Sequence, residues 1–113
     1  MVELSDRSGD ERRVEVSIEW TTDEDGTLVL RLLGELDLSN IDRLRPEIDA
    51  VIGGDPPALV IDLAGVTFMD SSGIALLIDT SQRTASTSVR NPSMVIRRII
   101  EATGLSDVLR LES

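Results

Sequence analysis

The sequence predicts a single α/β domain: a mixed β-sheet of four to five strands, with three helices packed mainly on one face. Three observations carry that expectation. Residues 14–20, "VEVSIEW", alternate apolar and polar side chains, the period of a half-buried strand. Residues 58–63, "ALVIDL", are apolar almost throughout, which suits a central strand buried on both faces. Later segments place apolar residues three and four apart, the helical spacing. Strands that alternate with helices after an opening hairpin give a mixed sheet. Right-handed crossovers then put the helices after the second, third and fourth strands on one side.

Each element follows in order. Residues 1–13, "MVELSDRSGDERR", are charged and aperiodic and predict a mobile tail; the domain proper is residues 14–113. The first strand carries Val14, Val16, Ile18 and Trp20 on one face, and "TTDEDG" turns it antiparallel into "TLVLRLLG". "DLSNIDRLRPEIDAVIGG" predicts a helix with Ile41, Leu44, Ile48, Val51 and Ile52 on its apolar side. Ser39 is the expected N-cap and Gly53-Gly54 the stop, while Pro46 should loosen the first turn by removing a hydrogen bond. After the third strand, "AGVTFMDSSG" reads as a loop leading into the helix "IALLIDTSQR". "STSVR" is a weak fourth strand. "NPSMVIRRIIEATGL" then offers Asn91 as N-cap, Pro92 at the first helical position and Gly104 past the end. "SDVLRL" closes the sheet as a short fifth strand.

Composition narrows the function. With 113 residues, one Phe, one Trp and no Tyr, the core must be aliphatic, and no aromatic platform exists for stacking bases. A net charge of −10 opposes nucleic acid and anionic membrane alike and favours a basic partner. Neither Cys nor His is present, which removes disulfides, thiolate metal sites and the commonest general base. All eleven basic residues are Arg, so a Ser–Lys pair and a phosphate-cradling loop ending in Lys are equally excluded. No apolar segment suggests a signal peptide or a membrane span, and the expected compartment is the cytoplasm. The acidic run Asp23-Glu24-Asp25 lacks the spacing of a calcium loop and reads as a solvated turn. Arg97-Arg98 reads as a solvent-facing pair.

The stretch "GVTFMDSSGIALLI", residues 65–78, sets a carboxylate and two hydroxyls between apolar runs. Two readings are open. Asp and Ser before an apolar helix are ordinary N-caps that satisfy unpaired N–H groups. The same geometry also displays a hydroxyl on a rigid edge. A phosphate attached there would meet the helix N-terminus and add about −1.5 to −2 charges beside Asp70. A nucleophilic Ser71 is disfavoured, because no base is available to take its proton and the glycine of a nucleophile elbow is missing. The chain is therefore not expected to be an enzyme.

Three blocks, "GELDLSNIDRL", "LVIDLAGVTFMDSSG" and "NPSMVIRRIIEATGL", resemble the STAS domain, in its branch of bacterial anti-sigma factor antagonists. The likeness runs over roughly residues 14–111, nearly the whole folded part. It implies a STAS-like fold and a partner-switching role. Members bind an anti-sigma factor that is itself a GHKL-type serine kinase, and so free a sigma factor for transcription. The kinase phosphorylates the first serine of the motif, here Ser71, and the modified antagonist lets go; a serine phosphatase resets it. By position, Asp70, Ser72 and Gly73 shape the loop that presents Ser71, Asp37 should lie on the same edge of the sheet, and the resemblance implies that Asp37, Asp70, Ser71, Ser72 and Gly73 bind the partner. Gly34 would serve tight backbone geometry at positive φ. No cofactor and no metal is implied.

Two departures from the family pattern stand out. Seventeen residues separate Gly73 from Asn91, about one helical turn fewer than in relatives, which shortens the second helix or its exit. The family's terminal helix is also absent before Ser113, so an uncovered apolar strip would favour a weak homodimer. A second reading keeps the fold and changes the role, to a STAS subunit of a lipid-transport or stress-signalling assembly without a phosphorylation switch.

Overall fold

The computed structural model describes residues 16–53, 55–84, 86–104 and 110–112. The proposed tail, the first two residues of the opening strand, Gly54 and residues 106–109 of the closing strand lie outside them. Along the chain run β1 (Ser17–Thr22), β2 (Leu28–Leu36), α1 (Ile41–Ile52), β3 (Leu59–Met69), α2 (Ser71–Ser81), β4 (Thr87–Arg90), α3 (Met94–Ala102) and β5 (Arg110–Leu111). The sheet order is β1-β2-β3-β4-β5; β1 is antiparallel to β2 and every other pair is parallel. The expected mixed sheet with three helices is therefore the observed one.

One core lies between sheet and helices. Leu28, Leu30, Leu32 and Leu36 alternate along β2 and face the buried stripes of the helices, among them Leu44 and Ile48 of α1, Leu77 of α2 and Ile96 and Ile100 of α3. Helix α1 is continuous through Pro46. Its first turn mixes two ring sizes, since the Asn40 carbonyl accepts from both Arg43 N (3.1 Å) and Leu44 N (3.2 Å), in keeping with the loosened start that Pro46 predicts.

Strand β3 departs from expectation twice. It runs through Ala64–Met69, the span read as a loop, because two register shifts against β2 absorb two extra residues. Its inward positions are Leu59, Ile61, Leu63, Val66 and Met69, so the period of two stretches to three at each shift. Nor is β3 covered by a helix on both faces. On the second face Val60 is half-buried and Asp62 is buried beneath arginines, in a cross-strand row Glu19–Arg31–Asp62–Arg90. Asp62 Oδ2 lies 3.5 Å from Arg31 Nε and 3.6 Å from Arg90 Nε, and Arg31 Nη1 reaches Glu19 Oε1 at 3.4 Å. Asp62 Oδ1 accepts from Ala64 N at 2.9 Å, which satisfies an N–H that the first register shift removes from the ladder.

Two caps also shift. Asn40, not Ser39, precedes α1. Ser93, not Asn91, caps α3, its hydroxyl accepting from Ile96 N at 3.2 Å, so Pro92 precedes the helix rather than opening it. Asn91 is left-handed at φ +60 and donates its amide to Asp62 Oδ1 at 3.4 Å. Asparagine tolerates that conformation, and here its side chain serves the sheet instead of the helix.

Candidate functional site

The parallel pair β2–β3 ends with Leu36 opposite Met69, and both strands stop there. The Asp70 N–H donates to the Leu36 carbonyl at 3.1 Å, the last rung before the chain turns into α2. Asp70 is extended (φ −105, ψ −169) and is the N-cap of α2. Its Oδ1 accepts from Ser72 N (2.8 Å) and Gly73 N (3.3 Å), and its Oδ2 accepts from Leu38 N (3.2 Å). One carboxylate thus fastens the start of α2 to the loop between β2 and α1.

That loop is itself braced. Asp37 Oδ1 accepts from Ser39 N (3.0 Å) and Ser39 Oγ (2.6 Å). Asn40 is buried, accepts from Asp37 N at 3.2 Å, and donates to the Glu35 carbonyl at 2.6 Å. Gly34, at φ +97 and beside the second register shift, turns β2 toward this edge in a conformation glycine adopts freely. Asp37 and Ser71 accordingly lie on one edge, joined through the Asp70 carboxylate and the Leu38 N–H.

Ser71, Ser72 and Gly73 are the first three residues of α2, not the end of a separate loop. Ser71 is exposed, Ser72 is half-buried and Gly73 is buried. A Cβ on Gly73 would stand 2.5 Å from Met69 Cγ and 3.1 Å from both Leu36 Cβ and the Leu36 carbonyl oxygen. The glycine lets the helix approach the strand ends closely, which fixes where the neighbouring hydroxyl points out. Gly73 is a packing residue under the edge rather than part of its face.

Three donors of the first turn are already committed. Ser72 N and Gly73 N bond the Asp70 side chain, and Ile74 N bonds the Asp70 carbonyl at 3.1 Å. The expectation that a phosphate on Ser71 would meet a free helix N-terminus is narrowed: the Asp70 carboxylate already takes Ser72 N and Gly73 N and complements the positive end of the helix. The Asp70 oxygens accept backbone N–H groups rather than the Ser71 hydroxyl, so the pair lacks the hydrogen bond of an activated nucleophile. Among the described residues no group of three or more Asp or Glu is placed to hold a metal ion.

Sequence reasoning missed Asn40 and Leu38. Asn40 stands directly before the apolar periodicity of α1, the usual place for a cap, and that signal would have found it. Leu38 carries no comparable mark.

The STAS domain family model matches residues 20–113. The anti-sigma-F factor antagonist RsfB of Mycobacterium tuberculosis is 37% identical over 94 residues, covering 80% of this chain and 77% of that protein. A crystal structure of an anti-sigma factor antagonist from Mycobacterium paratuberculosis superposes with a TM-score of 0.77 at 33% identity, over 86% of this chain and 85% of that one. The Bacillus cell fate determinant SpoIIAA, solved in its phosphorylated form, gives a TM-score of 0.64 at 25% identity, over 86% and 92% of the two chains.

Proposed function

The chain belongs to the STAS domain family, and from that premise we propose that it is an anti-sigma factor antagonist whose binding is switched by phosphorylation of Ser71. Unmodified, it binds an anti-sigma factor serine kinase of the GHKL type through Asp37, Asp70, Ser71 and Ser72, and a sigma factor is released. The kinase then phosphorylates Ser71, the complex parts, and a serine phosphatase restores the binding form.

The observation that carries this reading is the setting of Ser71. It is an exposed hydroxyl at the first position of a helix whose cap, Asp70, is bonded to the Asp37 loop. A neighbour solved in a phosphorylated form supports a switch by modification. Release follows from charge. A phosphate of about −1.5 to −2 beside Asp70 demands counter-charge that a site fitted to a neutral hydroxyl lacks. With Ser72 N and Gly73 N held by Asp70, that charge stays displayed to the partner instead of being absorbed by the helix.

The test uses the purified anti-sigma factor from the same cells. Ser71→Ala should bind it persistently in the presence of ATP, Ser71→Glu should bind at least tenfold more weakly, and both should keep the wild-type circular dichroism spectrum. Phosphopeptide mapping after incubation with kinase and ATP should place the modification on Ser71. Phosphate found on Ser72 instead, with Ser71 unmodified, would overturn the assignment, and stable binding with no phosphorylation would favour an assembly subunit without a switch.

A further inference from the structure

We propose that Leu38 and Phe68 are the apolar anchors of the Ser71 edge, and that they seat in an apolar pocket of the anti-sigma factor rimmed by Arg or Lys. This inference rests on the function proposed above. Five large apolar side chains are prominently exposed among the described residues: Trp20, Leu38, Phe68, Met94 and Val95. Exposed apolar residues scattered singly need no explanation, but two of these belong to the segments that Asp70 ties together, the β2–α1 loop and the end of β3. Leu38, 76% exposed, is held by the hydrogen bond from its own N–H to Asp70 Oδ2. Phe68, 49% exposed, is two residues before Asp70 on β3, opposite Glu35.

The loop's bonding does not call for the Leu38 side chain. The β2–α1 loop is held by backbone and polar bonds of Asp37, Asn40 and Asp70, in which the Leu38 side chain takes no part. Phe68 is the only phenylalanine in the chain, and it stands half in water while the core is aliphatic. A few side chains that fill well-packed, desolvated pockets near the centre of an interface carry most of its binding energy. The occupant follows from the charge around them. Glu35 pairs with Phe68 across the ladder, Asp37 precedes Leu38 in the loop, and Asp70 holds the Leu38 N–H, with both Asp70 oxygens taking only backbone donors. An apolar pocket within a basic rim complements such a surface, and the whole chain's charge of −10 draws the same partner.

The experiment measures binding of the purified anti-sigma factor to unmodified full-length protein by titration calorimetry. Leu38→Ser and Phe68→Ser should each weaken binding tenfold or more, whereas Leu38→Met should stay within threefold of wild type. Trp20→Ser, whose exposure lies between those of Leu38 and Phe68 but which stands on β1, should be unchanged, and thermal melts should show all four variants folded. In the kinase reaction, Leu38→Ser should raise KM for Ser71 phosphorylation while kcat holds, because the anchor positions without touching the transferred phosphate. Wild-type binding with both serine variants within twofold would overturn this inference alone. Failure of the wild type itself to bind would remove the functional reading with it.

Discussion

Gly73 shows how one missing methyl group positions a functional hydroxyl. The glycine packs under the strand ends, where Met69 Cγ and the Leu36 backbone leave no room for a Cβ. Gly73→Ala should therefore destabilise the fold by about 1–3 kcal/mol, the usual cost of overpacking a filled site. Urea denaturation would measure it, with an unchanged m-value showing that the cost lies in stability rather than in compactness. Because α2 must lift away from β3 to admit the methyl, kinase recognition should weaken even where the variant remains folded. Gly73 and its neighbour Ser71 thus divide the labour. One is buried and sets position, and the other is exposed and available for chemistry.

At the scale of elements, β4 should be the least protected interior strand. It has four residues, pairs with β3 over Thr87–Arg90 and, among the described residues, meets two residues of β5 on its other side. β3 over Leu59–Asp62 is flanked by full ladders from both β2 and β4. Amide exchange at Ser88–Arg90 should consequently be faster than at Val60–Asp62, and equal protection would contradict this account. The element order was legible in the sequence, since binary pattern and breakers locate every strand and helix of the described residues. What was not legible was β3 beyond Leu63. Its inward side chains fall at spacings of two, two, three and three because two register shifts intervene, so neither a strand period nor a helix period survives. The caps failed for a related reason. Ser39 and Asn91 are good capping residues, but other partners claim their side chains, the loop neighbour Asp37 for one and Asp62 across the sheet for the other. At the site, Ser71 and Asp70 were readable as a local helix start. The link from Asp70 to Leu38 joins residues 32 apart and has no local signature.

The whole molecule is a one-sided sandwich: helices cover one face of the sheet, and a charged row crosses the other. Burial alone would push the Asp62 carboxyl up, but the Ala64 N–H, the Asn91 amide and the guanidiniums of Arg90 and Arg31 outweigh it and hold the group below the usual aspartate range. A carboxyl depressed in the folded state contributes stability that is present above its unfolded pKa and lost as pH falls through the folded value. Asp62→Asn should therefore be less stable than wild type near pH 7. The difference should shrink as pH drops below about 3.9, the ordinary aspartate value. Denaturation midpoints at several pH values would check it, and a constant difference across that range would show that Asp62 acts by shape and not by charge. The parallel register of β2 and β3 has a practical consequence. Leu28 begins beside Leu59 and Leu36 ends beside Met69, so the Asp23–Thr27 turn and the serine edge occupy opposite poles, about 26–30 Å apart at roughly 3.3 Å per residue. The chain contains no cysteine. A single thiol introduced as Asp25→Cys would give one chemically unique handle, able to carry a dye or fix the protein to a sensor surface with its recognition pole directed into solution.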